Sequence, residues 1–170
     1  MNLKDYIRDI HDFPIKGIVF KDIMPLLSDA DAFKLATEKF ATLINGLGIT
    51  KIVGIESRGF IFGCALANHT NIGFAPIRKP GKLPSDVFSE SYLLEYGSDT
   101  LEIHKDALTY TDRVLLIDDL LATGGTASAA LKLIRQTGAN VSLFATLIEL
   151  SFLNGVQKLG SVNYKTLISY

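Results

Sequence analysis

Cysteine is almost absent from this sequence, which has 170 residues and a single cysteine, Cys64. One cysteine cannot form an internal disulfide, so the composition favours a reducing compartment, and we expect the cytoplasm. Histidine is also scarce, with three residues. The histidines and the cysteine do not follow the spacing of metal ligands, so we expect no zinc site.

An excess of charge of one sign is lacking as well. Lys and Arg number 17, Asp and Glu number 18, and the formal net charge is -1. Domains that bind nucleic-acid duplexes usually carry a large basic excess, so we expect no nucleic-acid partner. The longest strongly apolar stretch, residues 141–148, is too short to cross a bilayer, and residues 1–10 mix charge into each apolar stretch. We therefore expect neither a membrane span nor a signal peptide.

Short apolar runs are present and have the character of buried strands. Hydrophobic residues make up 48% of the chain, and its length corresponds to one globular domain, residues 1–170. Four runs are too short for a typical helix, and most of them show little alternation, which is typical of strands covered on both faces. These runs are Lys51–Ile55, Gly73–Ile77, Arg113–Ile117 and Val141–Ile148.

Helical patterns lie between these runs. The predicted helices cover residues 33–47, 59–68 and 127–134. Ser28 or Asp29 can cap the first helix. The second is apolar nearly all round, so we expect a buried helix with Cys64 in the core. Strands that alternate with helices predict an α/β fold, in which a parallel sheet is flanked by helices on both faces.

Residues 79–111 interrupt this alternation. Turn residues at Pro80-Gly81 and Pro84-Ser85 are followed by two strand-like segments, Ser91–Glu95 and Thr100–Ile103. The pattern predicts a β-hairpin inserted between two strands of the sheet. An insertion of this length at the end of a parallel strand is a candidate for an active-site flap.

The segment after the third apolar run has the residues of an anion-binding loop. Asp118 and Asp119 follow the predicted end of the strand at Ile117, and Ala122-Thr-Gly-Gly-Thr126 precedes a helix. The glycines let the backbone approach a ligand, and the amides at the start of the helix favour a phosphate. The aspartates can accept hydrogen bonds from two neighbouring sugar hydroxyls or hold a magnesium ion through water. The pattern therefore indicates a ribose 5-phosphate group.

Other interpretations of this segment remain open from the residues alone. A glycine-containing turn between a strand and a helix, with two exposed acids, is the simplest alternative. The segment lacks the Lys-Ser/Thr of a P-loop and the glycine spacing of a dinucleotide-binding motif.

The segment Val114-Leu-Leu-Ile-Asp-Asp-Leu-Leu-Ala-Thr-Gly-Gly-Thr126 resembles the 5-phosphoribosyl-1-pyrophosphate (PRPP) motif of the type I phosphoribosyltransferases. Further segments are similar to the adenine-specific members of that family, and the similarity runs from about residue 10 to about residue 155. These segments are Phe13–Asp22, Glu56–Phe60, Arg78–Pro84, Tyr92–Gly97 and Leu101–Ala107.

The resemblance implies a type I phosphoribosyltransferase-like fold and a purine salvage enzyme that forms AMP and pyrophosphate from adenine and PRPP. Magnesium would arrive with PRPP, without a direct protein ligand, and the protein would be a homodimer. Residues 1–28 would form an N-terminal base-binding region, and residues 79–111 would form the flap.

The resemblance also implies a role for individual residues. The 5-phosphate loop would be Ala122, Thr123, Gly124, Gly125 and Thr126, and the ribose hydroxyls would bind Asp118 and Asp119. The pyrophosphate would contact Ser57, Arg58, Arg78, Lys79 and Lys82, with Arg78 acting at or across the dimer interface. Adenine would contact Val19, Phe20, Lys21 and Leu153, the catalytic residues would be Arg58 and Glu95, and Tyr96 would belong to the flap.

The chain departs from the family pattern at Lys21, where many relatives have arginine, so any role of that side chain is in doubt and the main chain would read the base. Each singled-out residue also has an ordinary interpretation as a surface charge or a core apolar residue. Three alternative functions stay open: the same transfer to another nucleobase, a PRPP- or purine-sensing module, and a different α/β nucleotide-binding domain.

Overall fold

The computed structural model describes residues 1–93 and 97–170. Its strands are β1 (Arg8–His11), β2 (Val19–Asp22), β3 (Lys51–Ile55), β4 (Gly73–Ile77), β5 (Val87–Leu93), β6 (Ser98–His104), β7 (Arg113–Leu121), β8 (Asn140–Glu149) and β9 (Tyr164–Ser169). The α-helices are α1 (Met24–Ser28), α2 (Ala30–Ile44), α3 (Arg58–Thr70) and α4 (Gly125–Gln136), and short 3-10 helices cover Leu3–Tyr6, Ser151–Leu153 and Gly155–Lys158.

A five-stranded parallel sheet with the order β4-β3-β7-β8-β9 forms the centre of the fold. All four apolar runs are strands of this sheet, as predicted. Parallel strands place their carboxyl ends at one edge, so the loops after β3, β4, β7 and β8 come together there. That edge is where the sequence places the anion-binding residues.

Both faces of the sheet are covered by helices, which confirms the predicted fold class. Ile52, Leu115 and Ile117 face α1, α2 and α3, whereas Val53 and Leu116 face α4. The alternation of side chains along each strand therefore supplies two separate hydrophobic layers. Asp29 caps α2 through a 2.9 Å bond to the amide of Ala32, one of the two predicted capping choices.

The prediction that the third strand ends at Ile117 is wrong, because β7 continues to Leu121. Its partner β8 is long enough to pair with the additional residues, with Asp118 opposite Thr146 and Leu121 opposite Glu149. The two aspartates consequently belong to the strand itself. Their backbone is fixed by the sheet, which makes them more rigid than loop residues.

Helix α3 is also less buried than its composition suggests. Phe62 and Leu66 are fully buried against the sheet, but Cys64 is exposed on the opposite side, so the prediction of a core cysteine is wrong. A helix on a sheet buries one face only, and small or apolar residues on the other face look the same in sequence. On the buried side the fit is tight, because a Cβ atom at Gly63 would lie 2.7 Å from the ring of Phe74.

Strand β9 was not among the predicted strands. It pairs with β8, and its burial pattern is mixed because it lies at an edge of the sheet. A buried hydroxyl cluster joins the two strands: Thr146 lies 2.7 Å from the hydroxyl of Tyr164 and 3.2 Å from that of Thr166. Burial raises the pKa of Tyr164 to about 12, so this hydroxyl stays protonated at neutral pH.

Two antiparallel hairpins lie outside the main sheet. Strands β1 and β2 form the first, near the start of the chain, and β5 and β6 form the predicted insertion. The second hairpin packs on α4, where Lys132 forms a 3.0 Å ion pair with Glu90. Glu95 and Tyr96, predicted for its tip, lie outside the described residues. None of the helices within residues 1–93 and 97–170 has the length and apolar character that a membrane span requires.

Candidate functional site

A cavity of about 380 Å³ lies at the carboxyl edge of the sheet. Many of the residues predicted for the PRPP site line it. They are Ser57, Arg58, Lys79, Asp118, Asp119, Ala122, Thr123, Gly124, Gly125 and Thr126. Arg78, Lys82, Val19, Phe20, Lys21 and Leu153 are not among the lining residues. Glu56, which the resemblance places in the pyrophosphate loop with Ser57 and Arg58, lines the cavity as well, and so do Tyr92 and Leu101, which had no predicted role.

The loop between β7 and α4 presents the start of a helix to the cavity. Gly124 occupies the N-cap position with a φ of 82°, a left-handed conformation that suits glycine. It offers no side-chain acceptor to the helix, so the first amides of α4 are not capped by its N-cap residue. An uncapped helix start that opens into a cavity is suited to a phosphate group.

Gly155 shapes this loop, although sequence reasoning did not identify it. A Cβ atom on Gly155 would lie 2.2 Å from the carbonyl oxygen of Ala122, and one on Gly124 would lie 2.4 Å from that of Gly155. In both cases the added Cβ atom would meet a main-chain oxygen, so a side-chain rotation cannot relieve the contact. The segment after β8 therefore supports the phosphate loop from behind.

Asp118, Asp119 and Arg58 form the charged centre of the site. The Nε atom of Arg58 lies 2.7 Å from Oδ2 of Asp119, whose side chain is 7% exposed, and Asp118 accepts a 2.9 Å bond from the amide of Asp119. Burial raises the pKa of both aspartates. The charge of Asp119 raises the pKa of Asp118 further, and Arg58 opposes the rise at Asp119. Keeping both carboxylates ionised thus costs folding free energy.

Glycine is required next to this centre at position 59. A Cβ atom there would lie 2.9 Å from Oδ1 of Asp118 and 2.9 Å from the carbonyl oxygen of Ile117. The first turn of α3 can therefore approach β7 only with a glycine. This close approach places Arg58 against Asp119.

The loop after β3 is joined to the end of β4 through Glu56. The Glu56 carboxylate accepts a 2.9 Å bond from the amide of Lys79 and lies 3.2 Å from Nε of Arg78. The Arg78 guanidinium lies 5.9 Å from the ring of Phe60 on α3. Arg78 is therefore held outside the cavity, whereas Lys79 faces into it. The peptide bond between Glu56 and Ser57 is cis.

Lys79 is linked to the phosphate loop through the inserted hairpin. Its ammonium forms an ion pair with Asp99 of β6, the hydroxyl of Tyr92 donates to the same carboxylate at 3.2 Å, and Thr126 donates to that hydroxyl at 3.3 Å. The bond from Lys79 lowers the pKa of Asp99. Burial lowers the pKa of Lys79, but the bonds and charges of Asp99 and Tyr92 together outweigh it and the net pKa rises. Neither Tyr92 nor Asp99 was assigned a role from the sequence.

The predicted base-binding residues lie beside this cavity, on β2 and on the 3-10 helix Ser151–Leu153. The Arg58 guanidinium lies 5.4 Å from the ring of Phe20 and connects the two regions. Val19 and Leu153 are each 39% exposed, which leaves apolar surface open next to the charged centre. The side chain of Lys21 pairs with Asp9 at 2.7 Å.

The chain is similar to known proteins in both sequence and structure. The family model for the phosphoribosyl transferase domain matches residues 27–158. Adenine phosphoribosyltransferase from Christiangramia forsetii is 52% identical over 170 residues, covering 100% of this chain and 99% of that protein.

Solved structures agree with the sequence relatives. The adenine phosphoribosyltransferase of Thermoanaerobacter pseudethanolicus superposes with a TM-score of 0.96 at 49% identity, covering 99% of this chain and 98% of that one. The Saccharomyces cerevisiae enzyme, complexed with an imino-altritol bisphosphate and adenine, superposes with a TM-score of 0.94 at 40% identity, covering 97% and 96%. The chain therefore belongs to the phosphoribosyl transferase family and groups there with the adenine phosphoribosyltransferases.

Proposed function

We propose that the protein transfers the 5-phosphoribosyl group of PRPP to adenine and releases AMP and pyrophosphate. The observation that carries the proposal is the cavity itself. It combines an uncapped helix start, two adjacent carboxylates and two cations, Arg58 and Lys79. These groups match the phosphate, the diol and the diphosphate of a single substrate. The relatives named above support adenine as the acceptor.

In this reaction the bond between C1 of the ribose and pyrophosphate breaks, and the electron pair leaves with pyrophosphate. The bond from N9 of adenine to C1 forms, and the proton on N9 is lost. The amides of residues 122–126 hold the 5-phosphate while Asp118 and Asp119 accept hydrogen bonds from the ribose hydroxyls. Anchoring the sugar at both ends keeps C1 in place between the base and the leaving group.

Arg58 and Lys79 stabilise the departing pyrophosphate. The bond of Arg58 to Asp119 uses Nε, and the guanidinium carries four further N–H donors that suit phosphate oxygens. Lys79 reaches pyrophosphate by exchanging its partner Asp99 for a phosphate oxygen. Ser57 lies in the same cavity. Arg78 and Lys82 do not line it, and they would act on pyrophosphate through their positive charge.

Magnesium would be carried by PRPP as part of the substrate, and when bound it would neutralise charge on the leaving group. The oxygen atoms of Asp118 and Asp119 are the kind of ligand that magnesium prefers, and they can hold its water shell next to the ribose.

Adenine binds between β2 and the loop that follows β8. Phe20 stacks on one face of the base, Leu153 closes the other, and the main chain at Val19 and Lys21 reads the edge. The existing ion pair of Lys21 with Asp9 supports a main-chain role, since that side chain already has a partner. Glu95 takes the purine proton, and Tyr96 closes over the site with the flap.

The whole chain, residues 1–170, acts as one cytoplasmic catalytic domain, with residues 1–28 as the base-binding region and residues 79–111 as the flap. It works as a homodimer. The outer side of α3 supports this arrangement, because Cys64 is exposed there and Phe60, Ile61 and Ala65 are only partly covered. Arg78, whose guanidinium lies near Phe60, is then at the edge of the interface.

With PRPP and magnesium, we expect adenine to be converted to AMP with release of pyrophosphate. Hypoxanthine, guanine and orotate should react at least about a hundredfold more slowly, because a site that hydrogen-bonds one base leaves polar groups unpaired with another. A pyrophosphate-release assay across this panel measures the rates. Turnover of guanine or orotate with adenine inert would refute the base assignment. Binding of PRPP without turnover of any base would favour a sensing module.

Replacing Asp118 with Asn should stabilise the ligand-free protein and weaken PRPP binding. The raised pKa means that the ionised carboxylate costs folding free energy at neutral pH, and that this cost decreases as the pH falls below the raised pKa and is gone below the ordinary pKa of an aspartate. The amide removes the cost at neutral pH, so the free energy of unfolding should rise by about 1 kcal/mol at pH 7. The KM for PRPP should rise at least about tenfold, because a hydrogen bond to a charged acceptor is lost.

Asp112→Asn is the matched control for that variant. Asp112 accepts bonds from Thr109 and Thr50, and these bonds outweigh its burial and lower its pKa. Its replacement should lower the stability and leave the KM for PRPP unchanged. Urea denaturation and initial-rate kinetics separate the two variants. A less stable Asp118→Asn protein with normal PRPP kinetics would contradict the assignment of Asp118.

Gly155→Ala should displace the phosphate loop. The added methyl group meets the carbonyl of Ala122, so the loop has to move, and we expect the affinity for PRPP and for ribose 5-phosphate to fall at least about tenfold. Calorimetry with both ligands measures the loss. Gly160→Ala is the control, because its φ of 68° strains the backbone but its Cβ meets no atom within 4 Å. Equal affinities in the two variants would show that Gly155 does not set the loop.

The homodimer should have twice the 18.6 kDa mass of the chain in light scattering after size exclusion. Cys64→Arg should shift the protein toward the monomer, because it places a charge on the outer side of α3. Tyr110→Arg, at an 82% exposed position distant from α3 in sequence, should leave the mass unchanged. A monomeric wild-type protein, or a fully dimeric Cys64→Arg variant, would contradict this interface.

A further inference from the structure

Lys21 of β2 has an unusually enclosed side chain for a lysine. Only 12% of the side chain is exposed, and its ammonium lies 2.7 Å from Asp9 and 3.9 Å from the ring centroid of Tyr170. The ring of Tyr170 carries negative charge on its face, which attracts an ammonium at this distance. Strand β2 is therefore attached through Lys21 to a residue that follows β9.

The same ring has a second cation. The ammonium of Lys4 lies 4.2 Å from the ring centroid and donates a 3.2 Å bond to the carbonyl oxygen of Ser169. Burial raises the pKa of Tyr170, and Asp9 raises it further, so the hydroxyl remains neutral. With the hydroxyl neutral, the ring offers its face to both lysines without a competing phenolate.

The main chain of Tyr170 holds a different segment. Its carbonyl oxygen accepts a 2.9 Å bond from the amide of Ser151 as well as a bond from the hydroxyl of Ser151, and its amide donates to Glu149 at 3.0 Å. Ser151 begins the 3-10 helix that carries Leu153. The ring of Tyr170 thus contacts β2, and its backbone contacts the start of the segment with Leu153.

We propose that Tyr170 is a positioning residue for the base, one that sets the separation between its two walls. The inference rests on the proposed function, in which Phe20 and Leu153 enclose adenine. Phe20 lies next to Lys21 in β2, so a shift of Lys21 moves the stacking ring. Tyr170 touches neither the base nor PRPP, and it acts through Lys21 and Ser151.

The ammonium of Lys21 is committed to Asp9 and to the ring, which fixes the main chain of β2. The peptide groups of β2 would then read the base, while the contacts of the Lys21 side chain hold the strand in position. The backbone bonds of residue 170 to Ser151 and Glu149 do not depend on its side chain. Only the contact with Lys21 requires the aromatic ring.

The test is the KM for adenine in Tyr170→Leu, which keeps an apolar side chain and removes the aromatic face. We expect the KM for adenine to rise about three- to thirtyfold, the range of a partly buried cation–π contact, while the KM for PRPP stays the same. Tyr170→Phe retains the face and should restore the affinity for adenine. Tyr110→Leu, an exposed tyrosine elsewhere, should leave both constants unchanged.

A double-mutant cycle with Lys21→Met tests the connection itself. The methionine retains the main chain and the length of the side chain but removes the charge. If Tyr170 acts through Lys21, the double variant should have the same KM for adenine as Lys21→Met alone, because that variant already lacks the contact with the ring. Effects that multiply would show that Tyr170 does not act through Lys21 and would overturn the proposal.

Phe20→Leu separates failure of this inference from failure of the proposed base site. If Phe20→Leu raises the KM for adenine and Tyr170→Leu does not, the positioning role is wrong and the base site stands. If neither variant changes it, the base site is wrong too. A parallel rise of the KM values for adenine and PRPP in Tyr170→Leu would mean general loosening and would also overturn the proposal.

Discussion

The placement of a half-buried aspartate, Asp118, next to a buried one, Asp119, at the carboxyl edge of a parallel sheet is the constraint on which the rest of the site depends. Two carboxylates side by side repel each other, and burial adds to the cost of ionising them. The fold offsets part of this cost by bringing Arg58 to Asp119, which requires a glycine at position 59 so that α3 can approach β7. In the proposed PRPP complex, a ribose diol donates hydrogen bonds to these carboxylates and offsets a further part of the cost.

The inserted hairpin joins the two anion-binding parts of the cavity. One chain of contacts runs from Lys79 through Asp99 and Tyr92 to Thr126. These contacts satisfy Lys79 and Thr126, which we propose as binding groups for the diphosphate and the 5-phosphate. In the proposed PRPP complex, internal partners are exchanged for substrate oxygens, and the hairpin responds to both ends of the substrate. The same exchange limits the net gain per contact, because each new bond replaces an existing one.

Local patterns in the sequence predicted the parallel strands, the helices on both faces, the hairpin and a glycine-containing turn between β7 and α4. These features depend on residues that are neighbours in the chain, such as the buried run that leads into Asp118 or the glycines at the start of α4. The features that were missed depend on distant partners. Pairing with β8 extends β7 past Ile117, and edge strand β9 has a mixed pattern. Gly155 and Asp99 acquire their roles only from residues that the fold brings to them, and the exposure of Cys64 depends on which side of α3 meets the sheet.

The contact between Gly124 and Gly155 has a consequence for substrate range. Leu153, which we propose as a wall of the base site, lies two residues before Gly155, whose backbone contacts the loop proposed to hold the 5-phosphate. One short segment would thus border both the nucleobase and the sugar phosphate. In that arrangement a larger heterocycle could not be admitted by moving the segment outward, since the loop would lose the contact with Gly155. A change of acceptor would then depend on exchanging side chains while this backbone stays in place.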